Sequence, residues 1–366
     1  MRNGIHTLSK LNHRQMLDID HDYQRAATVA ALTYVTDTMP GIMRLKRGKG
    51  FSFLFGKKKV KDDSLLLRIR KLAIPPAWKE VWICPLENGH LQATGKDLRN
   101  RKQYRYHPNW EVLRNETKFH RLYEFGKALP ALRLKLEQDI TRKELCEEKV
   151  LATVVSLMER TYIRPGSSSY EKLYGSYGLT TLKDKHVAID GQAIQFSFRG
   201  KKGVNHSISV KNKRLARIVQ ACRDIPGKEL FQYYDAEGHR KSIDSGMVNN
   251  YIKQATGIEF SAKDFRTWAG TLNIIRSFRE LGVALTAAEK KKKVVAALDQ
   301  VSVSLGNTRT VCRKYYVHPG IIRLYEENTL EQYLKELDKL EEPDDKTGLT
   351  AEEQLLMKIL KKLHGS

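Results

Sequence analysis

The chain has 366 residues, and its 65 Lys and Arg against 42 Asp and Glu give a formal net charge of +23 with histidine neutral. That length supports two domains, each with a core of its own, and the positive excess points to a polyanionic partner. Nucleic acid fits better than a membrane surface, because the basic residues are not gathered on one amphipathic helix.

Cys84, Cys146, Cys222 and Cys312 form neither CxxC pairs nor a zinc pattern, and no apolar run is long enough to span a bilayer. A reduced, cytoplasmic protein with no membrane partner is expected. The absence of GxxxxGK[ST], GxGxxG and HExxH argues against a nucleotide-driven motor and a zinc hydrolase.

Residues 1–33 are polar with a helical middle and read as an N-terminal extension. From Tyr34 the texture changes. Apolar runs at 41–45, 51–55, 81–84 and 90–95, broken by turn residues, predict the strands of a small domain over 34–112. Positive charge is densest in this part: residues 1–112 hold 21 Lys and Arg against 10 Asp and Glu, and residues 113–366 hold 44 against 32. Residues 44–50 and 57–59 read as basic loops. The domain ends in Arg101-Lys102-Gln103-Tyr104-Arg105-Tyr106-His107-Pro108, an extended stretch mixing cations and phenols. Such groups meet phosphate backbones; an edge strand with tyrosines packed on one face gives the same pattern.

After Pro108 the periodicity is helical. Val150, Leu151, Val154, Val155, Leu157 and Met158 predict a buried helix face that leads to Arg164. Short strands follow at 178–182, 186–189, 194–198 and 206–210, the last two joined as a hairpin through residues 199–203. Helices are predicted at about 212–223, 244–255, 262–281 and 285–304. Asn307-Thr308 then starts a helix running to about Val317, closed by Pro319 and Gly320. Tyr315 and Tyr316 fall near its end beside Arg313 and Lys314, where positive charge favours a phenolate. Beyond residue 323, Glu326, Glu327, Glu331, Glu336, Asp338, Glu341 and Glu342, with leucines at helical spacing, predict an acidic helical tail packed on the preceding domain.

Arg164, the Lys201 hairpin, Lys263-Asp264-Phe265-Arg266 and Asn307 to Tyr316 stand in a telling order. Singly, each has a plainer reading: Arg164 as a helix C-cap, Lys201 as a solvated hairpin tip, Arg266 paired with an acid. Together with residues 41–42, 48–50, 74–78, 92–95, 101–107, 175–182 and 305–319, they resemble the type IB DNA topoisomerases, in their compact bacterial and poxvirus-like branch. The resemblance covers most of the chain. It implies an α+β fold: a strand-rich N-terminal domain, and over 113–323 a larger, mostly helical catalytic domain of the tyrosine recombinase and type IB topoisomerase kind, with a small β-sheet. The tail is 324–366.

The resemblance also implies a chemistry. Tyr316 attacks a DNA phosphodiester, forming a 3′-phosphotyrosyl bond and releasing a 5′-hydroxyl. A phenol of ordinary pKa about 10 is ionised only about once in a thousand at neutral pH, so the site must be cationic. Arg164 and Arg266 hold the non-bridging oxygens, and Lys201 and Lys263 form the general-acid pair. Asn307, nine residues before Tyr316, donates a hydrogen bond where eukaryotic and poxvirus members carry His. Tyr315 competes as nucleophile, but the spacing from Asn307 and the Val-His-Pro sequel favour Tyr316.

Gln103, Tyr104 and Tyr106 match positions that touch DNA in the family; Arg101, Lys102 and Arg105 complete the expected DNA-binding set. The implied partner is double-stranded DNA, clamped by a monomer associated with the nucleoid. No cofactor, metal or ATP is implied, and the implied activity is relaxation of positive and negative supercoils by single-strand cleavage, swivelling and religation. A tyrosine site-specific recombinase shares the Arg, Lys, Arg, Tyr set, although it usually carries HxxR where this chain has Lys263 and Arg266, and a helical N-terminal domain. A non-enzymatic basic DNA-binding protein has the positive surface and no use for a placed tyrosine.

Overall fold

The computed structural model describes residues 11–48, 50–337, 345 and 347–364. They form two compact units: one takes the described residues up to Arg121 together with His364, and the other is Leu122–Leu363.

The first unit opens with α1 (His13–His21) and α2 (Tyr23–Val29). Asn12 and Gln15 cap α1 reciprocally, each side chain accepting from the other's backbone N–H at 2.9 and 3.0 Å. Met16, Ile19, Ala26, Ala27 and Ala30 pack with Leu32, Trp110 and Leu113 in one buried cluster. Asp20, 4% exposed, is paired with Arg114 and Arg121 at 2.8 and 2.9 Å. The polar texture of this segment therefore hides a core-forming face.

Then come β1 (Ile42–Arg47), β2 (Gly50–Phe55), β3 (Lys58–Lys59), α3 (Asp63–Lys71), β4 (Lys79–Ile83), β5 (Leu91–Lys96) and β6 (Lys102–Tyr106). The strands make an antiparallel sheet in the order β3-β2-β1-β4-β5-β6. Ile42, Val81, Ile83 and Ala93 bury one face against Ile69 of α3. The basic-loop readings need correction. Arg44, Lys46 and Arg47 lie within β1, which pairs with β4 only at Ile42 and Met43, and Lys58-Lys59 lie within the edge strand β3; backbone open on one side accommodates charged side chains; Lys49 lies outside the described residues. Arg44 turns back under the hairpin and donates to the carbonyls of Ile74, Pro75 and Trp78 at 3.3, 3.1 and 2.7 Å.

Helix α4 (Pro108–Ile140) carries the chain into the second unit. There α5 (Glu147–Thr161) and α6 (Ser168–Tyr174) precede a sheet of β7 (Val187–Asp190), β8 (Ala193–Arg199) and β9 (Asn205–Lys211), paired in that order. Next are α7 (Lys213–Arg223), the small hairpin β10 (Gln232–Tyr234) and β11 (Arg240–Ser242), and α8 (Ser245–Thr256). The remaining helices are α9 (Ala262–Leu281), α10 (Ala287–Leu305), α11 (Arg309–Tyr315), α12 (Pro319–Glu326), α13 (Leu330–Leu337) and α14 (Ala351–Leu363). The fold is thus α+β, a strand-rich unit and a mostly helical one with a small sheet. Among the described residues no helix is long and apolar enough to cross a membrane.

Two readings of the second unit differ from what forms. Residues 178–182 make a 3-10 turn over Leu179–Thr181, because their N–H groups are spent on the neighbouring loop: Leu179 donates to the Arg164 carbonyl at 2.9 Å and Thr180 to that of Pro165 at 2.6 Å. The acidic helix expected after residue 323 is two short helices, α12 ending at Glu326 and α13; Asp338, Glu341 and Glu342 lie outside the described residues.

Helix α14 was not anticipated as a separate element, yet it buries Leu355, Leu356, Ile359 and Leu360. Glu353, 5% exposed, accepts from both terminal nitrogens of Arg133 at 2.8 and 2.7 Å and from Trp268 Nε1 at 3.1 Å. Arg133 also pairs with Glu159 at 2.7 Å. This network joins α14 to α4, α5 and α9. Glu353→Ala will leave Arg133 under-compensated in a buried setting, and the expected loss is about 3 kcal/mol of stability, read as a lowered midpoint in thermal or urea unfolding. Glu353→Gln, which keeps the Trp268 bond, will lose less.

Candidate active site

Helix α9 begins at a reciprocal cap. The Ser261 N–H donates to Asp264 Oδ2 at 2.9 Å, fixing the first turn. Lys263 and Arg266 are three residues apart and share one side of that turn. Lys263 is exposed, whereas Arg266 is 4% exposed. The Arg266 guanidinium donates to the carbonyl of Leu305 at 2.7 Å and to that of Tyr162. Both carbonyls lie where helices end, at the last residue of α10 and the left-handed cap of α5, where the helix itself supplies no donor. Arg266 is thus pinned by backbone and not by an acid. Its Nε–H is buried and has no hydrogen-bond partner among the described residues.

Arg164 follows the α5 cap by two residues. Its Nη2 donates to Asn307 Oδ1 at 2.8 Å. The loop carrying it is pressed against Gly178: a Cβ there would stand 2.5 Å from the Arg164 carbonyl and 2.6 Å from Gly166. Only glycine leaves that space. Lys201 opens the tight turn between β8 and β9, with Lys202 left-handed at φ 60°, and its Nζ lies 5.8 Å from the Tyr170 ring centre. The hairpin predicted over 199–203 forms as expected.

The helix expected from Asn307-Thr308 is α11. Thr308 supplies its cap, accepting from the Val311 N–H, which releases the Asn307 side chain for Arg164. The helix stops at Tyr315, short of Val317, because Pro319 opens α12 at its first position, a place that costs proline no hydrogen bond. Tyr316 is therefore the residue just past the last turn. Its carbonyl accepts from Thr271 Oγ1 at 3.3 Å, and Thr271 Oγ1 accepts in turn from the His318 N–H at 3.2 Å. Gly270 on α9 receives it: a Cβ at Gly270 would lie 2.6 Å from the Tyr316 carbonyl oxygen. Tyr315 is 38% exposed, with Lys314 Nζ 5.2 Å from its ring centre.

Arg164, Lys201, Lys263, Arg266 and Tyr316 line one cleft of about 330 Å³ in the second unit. Asn307 joins them through Arg164, and Tyr315 is not among the lining residues. The Arg266 guanidinium carbon lies 5.1 Å from the Tyr316 ring centre. Burial works to raise the Tyr316 pKa, but Arg266 and then Arg164 outweigh it and hold the phenol below its usual range. Burial, then the charge of Arg164, pushes Arg266 down to about 10, so it stays cationic at neutral pH. Cys312, one turn before Tyr316, is pushed up to about 11 by burial and stays a thiol.

Sequence reasoning missed His206, which sits between the Lys201 turn and the start of the Asn307 segment. A Cβ at Gly200 would lie 2.6 Å from its ring and one at Gly306 2.5 Å. Burial and then the neighbouring Arg164 and Arg266 lower its pKa below the usual imidazole value. It also missed Gly178 and Gly270; the signal was present as a glycine inside the helical run Ala269-Gly270-Thr271.

The other expected set lies in the first unit, on β6 and, for Arg101, just before it. Strand alternation divides it. Tyr104 and Tyr106 stack 5.8 Å apart and are 46% and 39% exposed; Lys102, on the same face, pairs with Asp37 at 2.6 Å. On the opposite face Arg101 and Gln103 both bind Asp97, at 2.7 and 3.0 Å, and Arg105 donates to the Ala73 carbonyl at 3.0 Å. The hydrogen bond from Arg101 is the main reason the Asp97 carboxyl drops to about 2.

Comparison with known proteins extends this picture. A model of the eukaryotic DNA topoisomerase I catalytic core matches residues 102–343, and one of the bacterial DNA topoisomerase IB N-terminal domain matches residues 50–97. The chain is similar to DNA topoisomerase 1B of Acanthamoeba polyphaga mimivirus, 31% identical over 298 residues, which is 79% of this chain and 89% of the relative. To DNA topoisomerase 1B of vaccinia virus (strain Copenhagen) it is 25% identical over 235 residues, 63% of this chain and 71% of the relative.

Proposed function

Because the chain belongs to the type IB DNA topoisomerases, we propose that it relaxes positive and negative supercoils by cutting and rejoining one strand of duplex DNA through Tyr316. The observation that carries this reading is the Tyr316 phenol beside Arg266, whose buried Nε–H has no acceptor among the described residues. A phosphate oxygen supplies that acceptor.

Tyr316 Oη attacks phosphorus and the bond to the 5′-oxygen breaks, leaving a 3′-phosphotyrosyl link. Arg266 and Arg164 meet the negative charge that builds on the non-bridging oxygens, where preorganised donors act most strongly. Lys201 and Lys263, both exposed at the cleft, give the leaving 5′-oxygen its proton. Asn307 holds Arg164 through its amide oxygen, while its amide nitrogen lies 3.5 Å from the Leu305 carbonyl. After the cut strand swivels, the 5′-hydroxyl attacks the phosphotyrosine and the steps reverse. One phosphodiester is exchanged for another of similar energy, so no nucleotide is consumed, and side-chain cations serve where other enzymes use a metal ion. The substrate is double-stranded DNA in the nucleoid, bound by one copy of the chain, with Gln103, Tyr104, Tyr106, Lys102 and Arg105 of β6 and the preceding Arg101 adding contacts.

The test is relaxation of positively and negatively supercoiled plasmid with EDTA and without ATP, with detergent trapping of the covalent complex. Relaxation of both, with the adduct on the 3′ side of the nick, is expected, and binding is expected to weaken steeply with salt as phosphate contacts release counterions. Duplex binding with neither relaxation nor adduct would overturn the proposal.

A further inference from the structure

Three imidazoles from remote parts of the sequence meet in the first unit, and none takes part in the site described above. His13 opens α1, His120 lies on α4, and His364 directly follows Leu363. His13 Nδ1 and His120 Nδ1 are 3.0 Å apart. The ring centres lie 5.2 Å apart for His13 and His120, 5.2 Å for His13 and His364, and 4.1 Å for His120 and His364. Each ring offers one nitrogen within 4.8 Å of the other two, and His364 is only 9% exposed.

A tetrahedral Zn²⁺ with nitrogens at roughly 2.0–2.1 Å places those nitrogens about 3.3 Å apart and the ring centres about 5 Å apart. Two of the three separations already meet this, and the third has to open by about 1 Å. Three side chains brought together over such sequence distances, all of one ligand type, suit a borderline dication such as Zn²⁺, Co²⁺, Ni²⁺ or Cu²⁺ and not Mg²⁺ or Ca²⁺, which take oxygen ligands.

We propose that His13, His120 and His364 form a transition-metal site, completed by water, that fastens the end of the described chain to α1 and α4 within the first unit. Its role is structural. It lies outside the cleavage chemistry, and the spacing of its ligands in the sequence, 107 and 244 residues, matches no short metal motif.

The deciding experiment is titration of the metal-free full-length chain with Co²⁺, read by the visible absorption of tetrahedral cobalt, beside thermal unfolding with and without Zn²⁺. One Co²⁺ per chain with tetrahedral bands, and a Zn²⁺-dependent rise in unfolding temperature, are expected. Both must disappear in His364→Ala, at a position just past the last helix α14, and in His13→Ala. Should His13→Ala fail to fold, His364→Ala decides alone. Absence of the bands in the wild type, or bands and stabilisation that persist in His364→Ala, would overturn the site; persistence would assign the ion to others of the 11 histidines.

Discussion

Tyr316→Phe will abolish both plasmid relaxation and the detergent-trapped adduct while leaving duplex binding and unfolding temperature at wild-type values. Removing the nucleophile of a covalent mechanism costs on the order of 10⁵-fold or more. The packing does not need the hydroxyl: the ring stays beside Arg266, and Tyr316 is held by its carbonyl and by its contact with Gly270. Tyr315→Phe is the matched control and will relax plasmid like the wild type, because Tyr315 is exposed and does not line the cleft. The pH dependence carries a sign. Since Arg266 and Arg164 overcome burial and lower the Tyr316 pKa, the rate of single-turnover cleavage will rise with pH and level off below the ordinary phenol value of about 10. A limb at or above that value would remove the argument for phenolate stabilisation.

Arg266→Ala has the next largest expected effect, about 10²- to 10³-fold in single-turnover cleavage at saturating DNA, the scale for losing one preorganised donor at developing negative charge. It will also lower the unfolding temperature, since the carbonyls of Tyr162 and Leu305 lose their donor in a buried setting. Arg266→Lys will not rescue the rate. An ammonium cannot bridge two carbonyls and still aim a third N–H in a fixed direction. Asn307→Ala will slow cleavage less than Arg164→Ala, and the double variant will fall short of the product of the two, because one group acts through the other. Equal and multiplicative losses would mean that Asn307 meets the phosphate independently.

Much of this site was legible in the sequence because its members sit on elements with strong local signals. The span expected for α9, 262–281, is the one that forms, since Ser261 and Asp264 write its start and Gly282 its end. The hairpin that presents Lys201 was equally plain from its alternating strands and glycine-rich turn. What could not be read was whatever depends on a remote partner. Residues 178–182 carry strand-like chemistry, yet the Arg164 loop claims their N–H groups. Helix α14 owes its place to Arg133, more than two hundred residues earlier in the sequence, and to Trp268. The three-residue strands β10 and β11 are too short for any periodicity to announce them.

The placement of Tyr316 just beyond α11 bears on force. During the proposed swivel, the rotating duplex pulls on a single phenol, and α11, seven residues long, is a slight anchor for such a load. The pull is handed sideways: through the Tyr316 carbonyl to Thr271, and through direct backbone contact at Gly270, into the twenty-residue α9. That same helix carries Lys263 and Arg266. On the proposed mechanism, torque in the DNA reaches the groups proposed to govern resealing along the mount that holds them, so a jolt that shifts the proposed phosphotyrosine shifts its cations with it and keeps the reacting atoms aligned under tension.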